Sequence, residues 1–451
     1  MIDQPTLAAI RFGYGLPLPK GAPVTPDAML AALRAPDAMM QLHPTVGVDE
    51  ARPLIAAAQE ARRALRKDES LRLPYRTAMR AAAALDDAQT RAGFARALDA
   101  PDGFRERLCA FWADHFTTRA RSAAERPLPG AFVHDAIRPH VTGRFGDMLV
   151  AATLHPAMLA YLDQTASVGP GSAFGVRRGR GLNENLAREV MELHSLGVGA
   201  AYDQGDVRQM ALLLTGLDAN AADGFVFRPD RAEPGAEVVL GRTYGGAGVA
   251  PIEAALRDIA LRDDTAKHIA RKLAVHFVSD APDAGLVAAL TAAYLDTGGD
   301  LLAVYAALLA HPAAWEPRLM KARQPVDFIL AALRALGMTG AEVRRMAQGP
   351  AARLLTRPMA LMGQDWQTPP GPDGWAEAAE AWITPQGMAA RITWAMEVPG
   401  RLVVPMPDPV DFMRRCLGGA VDERLEWAAA RAETTREGVG LVLSSPAFNR
   451  R

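Results

Sequence analysis

The stretch GLNENLAREVMELHSLGVGAAYDQGDVRQMALLLTG, Gly181 to Gly216, sets Glu189, Glu192 and His194 in an otherwise Ala- and Leu-rich helical pattern. The same patterning extends outward over most of the chain. Ala, Leu, Arg and Glu fill 51–67, 75–98 and 104–116, with further helical intervals around Ala131, Phe145, Asp206, Ile252, Ala266, Leu286 and Pro325. Gly and Pro punctuate them, as at Ala100-Pro101-Asp102-Gly103. The fold class that follows is mainly α, a large helical globular protein.

One interval breaks the rule. From Gly224, GFVFRPDRAEPGAEVVLGRTYGG carries short β-branched and aromatic runs around a Pro/Gly turn. It predicts one small β-hairpin, Phe225–Arg228 with Glu237–Arg242, projecting from the helical body. Two loops stand out, SVGPGSAFGVRRGRG over 167–181 and the rigid connector QTPPGPDG over 367–374, ahead of Trp375 and Trp382. Either the chain is one body, or a soft boundary near Gly337 divides it into 1–337, carrying the Gly181–Gly216 stretch and the hairpin near 225–242, and a helical part, 338–451.

A chain of 451 residues exceeds what one core comfortably serves. With 49% hydrophobic and 22% charged residues and a net charge of −1, it reads as soluble, with no electrostatic case for nucleic acid. Cys109 and Cys416 are too few for a disulfide framework and read as buried free thiols. The start, MIDQPTLAAIRFGYGLPLPKG, lacks a basic region followed by an apolar run, and no stretch of about 20 apolar residues exists to span a membrane. The expected location is the cytoplasm, or the periplasm if a leader is removed or a partner carries the chain.

On a regular helix from Asn185, Glu189 and Glu192 share one face. Glu184, Arg188 and Glu192 at i, i+4, i+8 form an ion-pair ladder of small energetic weight. Glu189 lacks such a partner, and two adjacent carboxylates repel unless a cation, a proton or donors intervene. The cluster is therefore a solvated face, a structural ion-pair network, or a site. As a site, Glu189 and Glu192 would be an acid/base pair or ligands of a divalent metal. His194 lies 140–160° away on a regular helix, by the same periodicity, and cannot join them. Glu192-Leu193-His194 is not the HExxH pattern of a metalloprotease.

Arg177, Arg178 and Arg180 precede the helix in a glycine-rich loop, so Arg180 and Asn183 are candidate anion binders, beside the alternative of a solvated loop. In RLCAFWADHFTTRAR, Trp112 and His115 share a face at i, i+3; His115 is either a hydrogen-bonded helix-end residue or a general base beside the Glu pair. Asp163 and Asp206 read as helix-end residues, Asp206 as an N-cap. His268, Arg271, Lys272 and His276 read mostly as a basic amphipathic face. The phrases Leu154-His155-Pro156-Ala157 and Ala310-His311-Pro312-Ala313 place His at a helix end and Pro at the next start.

These residues carry a resemblance. Ile10-Arg11-Phe12-Gly13-Tyr14-Gly15, Phe111-Trp112-Ala113-Asp114-His115-Phe116, GLNENLAREVMELHSLG and the closing Ser445-Pro446-Ala447-Phe448 are similar to the bacterial family of domain of unknown function 1800, nearly end to end. The resemblance implies a predominantly helical fold with no established activity. It also implies frequent export, and gene neighbourhood with a sulfatase-like family, hence a sulfatase-like partner protein. Two departures are the missing leader and Ala232-Glu233-Pro234-Gly235 where the family often has His-Asp-Pro-Gly. The functional expectation is an enzyme or ligand-binding protein using Glu189, Glu192 and His115, its alternative a non-catalytic subunit of that partner.

Overall fold

The computed structural model describes residues 2–421 and 423–451. The chain is 62% helical, as its patterning predicts. Long helices pack on close sequence neighbours: Val48–Leu65 against Arg72–Asp99, and Asp263–Phe277 against Ala284–Thr297. Their starts are written in the sequence. Gln204–Leu213 opens with a capping box in which Asp203, not Asp206, is the N-cap; Asp206 returns the bond to the Asp203 N–H. In both His-Pro phrases the imidazole itself caps the second helix, Nδ1 of His155 accepting from Ala157 N–H at 3.1 Å and that of His311 from Ala313 N–H at 3.3 Å.

The β structure differs from the expected single hairpin. β1 (Leu217–Asn220) pairs with β2 (Gly224–Phe227), and β3 (Ala236–Val239) with β4 (Arg242–Gly245), all antiparallel. The 225–228 run thus turns back on the strand before it. Asn220 Oδ1 accepts from the Ala222 and Asp223 N–H groups and closes that first turn. The interval expected as one strand, 237–242, contains the second turn: Leu240 and Gly241 both have positive φ, the signature of a tight two-residue hairpin loop.

The interior has two main apolar clusters. One surrounds Trp112, whose indole N–H donates to Tyr305 Oη at 2.7 Å while Tyr305 donates onward to Val141 O. The other gathers residues from Phe328 to Phe448 and also takes Tyr14, Phe94 and Leu98. Cys109 and Cys416 are buried free thiols. Among the described residues no helix is long and apolar enough to cross a membrane.

The Gly181–Gly216 stretch departs from a regular helix. Asn185–Glu189 is α-helical, but Val190–His194 widens into a π turn. The extra residue changes the local register, and His194 is buried in the interior, still apart from Glu189 and Glu192. Ser195 Oγ then bonds Val190 O at 2.5 Å, and Gly197 follows at φ +90°. A Cβ at Gly197 would lie 2.8 Å from His268 Nδ1, so this position has no room for a side chain.

Candidate active site

Three segments converge on one polar cavity of about 250 Å³. The last turn of Phe104–His115 supplies Asp114 and His115; Asp263–Phe277 supplies His268 and Lys272; the connector after Pro369 supplies Asp373, Trp375 and Glu377. His268, Lys272 and His276 recur every four residues, so one helix face brings all three inward, and Arg271, though exposed, lines the cavity beside His268 and Lys272. The stripe expected as a basic outer face is thus largely a cavity wall.

Gly374 lets the connector close over Asp114. Its φ is +80°, and a Cβ there would sit 2.7 Å from Asp114 O and 2.8 Å from Asp114 Oδ1. The approach delivers the Trp375 N–H to the Asp114 carboxylate, at 3.0 and 3.2 Å from its two oxygens. Two residues on, Glu377 enters a buried charge network. It accepts from His276 Nδ1 at 2.5 Å, pairs with Lys321 at 2.9 Å, and lies 3.8 Å from Arg451. Arg451 and Arg107 in turn hold Asp327 at 3.2 and 3.0 Å.

The ionisable groups divide by environment. Burial pushes Glu377 upward, but His276, Lys321 and Arg451 outweigh it and hold the carboxyl well below its ordinary range. Asp114 has only the Trp375 N–H and the more distant Lys272 to favour its charge; burial dominates and raises it to about 7. Burial likewise lowers Lys272, against the pull of Asp114, Glu377 and Asp373. Asp114 and Lys272 keep some accessible surface, yet the surrounding protein excludes enough water for burial to be the largest influence on both. Neither has a salt-bridge partner among the described residues.

Beneath them lie neutral imidazoles. Burial, with Lys272 nearby, pushes His115 well below its ordinary value, His194 to about 3 and His268 to about 4. His115 Nε2 lies 3.1 Å from His194 O, and His268 Nε2 lies 3.0 Å from Leu193 O. Each contact requires the Nε2–H tautomer, since a carbonyl only accepts. These imidazoles satisfy carbonyls at the end of the π turn, which joins the Gly181–Gly216 stretch to the cavity. His115 Nδ1 and both ring nitrogens of His194 are buried without hydrogen-bond partners.

Glu189 is half-buried and raised, first by burial and then by Glu192. It makes no direct hydrogen bond or ion pair among the described residues. Glu192 does: Arg188 bridges it at 3.3 Å and Glu184 at 3.4 Å, completing the expected ladder. Neither Glu189 nor Glu192 lines the cavity, but Asp373 on its wall adds to the upward push on both Glu189 and Asp114. Asn183 is committed to the backbone, donating to Asp163 O at 3.1 Å and accepting from Asn185 N–H at 3.0 Å. Arg180 is exposed, outside the cavity lining. Among the described residues no group of three or more His, Cys, Asp or Glu is arranged to hold a metal ion. Of the candidates read from the sequence, only His115 lines the cavity. Asp114 and Lys272 were visible in it as members of helical motifs; Glu377 carried no local signal.

The DUF1800 family model, described as a protein of unknown function, matches residues 8–450, and the chain belongs to that family. No curated protein and no solved structure matches it.

Proposed function

We propose that this DUF1800 protein is an acid/base enzyme working in the polar cavity under Trp375. The observation that carries the reading is the pairing of Asp114, raised to about 7, with Lys272, lowered, on one cavity wall without a salt bridge. A carboxyl near neutrality is poised to give and take a proton, and such a group contributes roughly 10²–10⁴-fold to a rate. Lys272 supplies a positive charge, or its free amine, to the oxygen or carbonyl on which charge develops. His115 and His268 stay uncharged and fix the wall. Glu189 stands at the approach as a second raised carboxyl, the role left to it from the expected Glu189/Glu192 pair.

As metal ligands, Glu189 and Glu192 would supply two carboxylates, with Glu192 already committed to Arg188. As an anion contact, Arg180 would act at the outer surface, not at the reacting atoms. The accessory-subunit reading calls for a continuous apolar patch. The six most exposed of fifteen exposed large apolar residues, Leu73, Val176, Val198, Leu361, Val404 and Trp427, stand on six separate segments of the chain. The test is an untargeted mass-spectrometric comparison of a bacterial metabolite extract incubated with the protein. The wild type should consume at least one species that Asp114→Asn and Lys272→Met, both folded, leave intact. Equal consumption by all three would refute the assignment, as would none by the wild type.

A further inference from the structure

A second cavity, of about 240 Å³, lies on the other side of Asp114. The two cavities share Phe111, Asp114 and Trp375 as lining residues. Their characters differ. The polar cavity is walled by His, Lys, Asp and Glu, whereas the second is lined by Phe94, Phe132, Val326, Leu330 and Trp366 among others. Most of the charged side chains it meets are in ion pairs, Arg138 with Glu106 and Asp37, Arg96 with Glu106, and Arg107 with Asp327, while Asp114 and Asp365 are in none among the described residues. One amide acceptor is also unpaired. Gln89 is buried, donates through Nε2 to Val46 O at 3.2 Å, and leaves Oε1 without a partner. A Cβ at Gly130 would strike that amide, so the glycine makes the room it occupies.

An enclosed apolar space of about 150 Å³ takes a benzene-sized ring. The volume here is larger. Resting on the proton-transfer reading, we infer that the substrate is an amphiphile. Its apolar ring-sized body lies in the second cavity, and its polar reacting end meets Asp114 and Lys272. A hydroxyl or amide N–H on the body would satisfy Gln89 Oε1. Asp114 is where the two environments meet, which is also why burial dominates its carboxyl.

Gly93 gives the means to test this. It lies in Arg72–Asp99 and lines the second cavity, and a Cβ built on it meets nothing nearer than Arg96 Nη2 at 4.0 Å. Gly93→Leu therefore starts from open space at its Cβ and extends into the cavity, while Gly93→Ala barely enters it. Ala113→Leu narrows the same space from the Phe104–His115 helix, should the first variant fail to fold. The probe is 6-propionyl-2-dimethylaminonaphthalene, an amphiphilic ketone whose emission shifts to the blue in apolar surroundings. Saturable, blue-shifted binding is expected for the wild type and Gly93→Ala. Gly93→Leu and Ala113→Leu should weaken it by at least about tenfold, or 1.4 kcal/mol. Unchanged affinity in a folded filling variant, or no saturable binding by the wild type, would overturn the inference. Turnover is read separately. Binding that is lost on filling, in a protein that consumes nothing, supports the amphiphile cavity and removes only the proton-transfer reading.

Discussion

Asp327→Asn removes one charge from the network below the cavity while keeping the side chain's size. Asp327 is buried at the start of Pro325–Ala335, between Arg107 at 3.0 Å and Arg451 at 3.2 Å. Without it, two buried guanidinium groups face each other with Glu377 alone as counter-charge, already shared with Lys321 and His276. Breaking a buried pair by deleting one partner costs about 3–5 kcal/mol, because the remaining charge stays desolvated. With m of about 3 kcal/mol/M or more for a chain of this size, a loss of that size lowers the urea midpoint by on the order of 1 M. The pH dependence gives a second check. Burial pushes Asp327 up, but Arg107 and Arg451 outweigh it and leave its folded pKa below the ordinary 3.8. Its stabilisation is therefore present above the unfolded pKa and lost as pH falls through the folded value. Urea unfolding followed by far-UV circular dichroism should show the full deficit at pH 7 and a shrinking one below about pH 4. A deficit under about 1 kcal/mol, or one unchanged in acid, would refute the reasoning.

Gly374→Ala should cost on the order of 1–3 kcal/mol, because φ is +80° and the methyl meets Asp114. By weakening the Trp375 N–H contact it should also raise the Asp114 carboxyl further, measured by its titration; an unchanged midpoint would sink that link. His194 and His268, lowered to about 3 and 4, bind fewer protons folded than unfolded below pH 6.5. Stability should thus fall by on the order of a few kcal/mol between about pH 6.5 and 4, more steeply than in His268→Asn. In ¹⁵N spectra neither imidazole should titrate between about pH 5 and 8, a window set by the ordinary His value; a midpoint near 6.5 in either ring would contradict their burial as neutral groups.

The helical fold was legible because Ala-, Leu- and Arg-rich periods run through most of the chain, although the cap read at Asp206 lies three residues after the true N-cap, Asp203. The hairpins were misjoined because β-branched runs mark strands without saying which neighbour each pairs with. Glycine and asparagine at the turns carried that information. At the site, His115 was accessible to sequence reasoning, but its partner His194 was not. A π turn moves a residue by a register that no fixed periodicity contains. Glu377 and Trp375 reach the cavity from a connector more than 250 residues after Asp114, and only tertiary folding brings them there. The ion-pair ladder Glu184–Arg188–Glu192 is local, and the sequence stated it correctly.

On the proposed function, Asp114 is a carboxyl poised for proton transfer at neutral pH, raised chiefly by burial. Infrared difference spectra of the wild type against Asp114→Asn, taken across a pH series, observe it directly through the protonated C=O stretch. That band should persist in weakly acidic solution and disappear with a midpoint near 7. In Lys272→Met, which removes the neighbouring positive charge, the midpoint should move higher. A band that vanishes near pH 4, the ordinary value for an aspartate, would contradict the account.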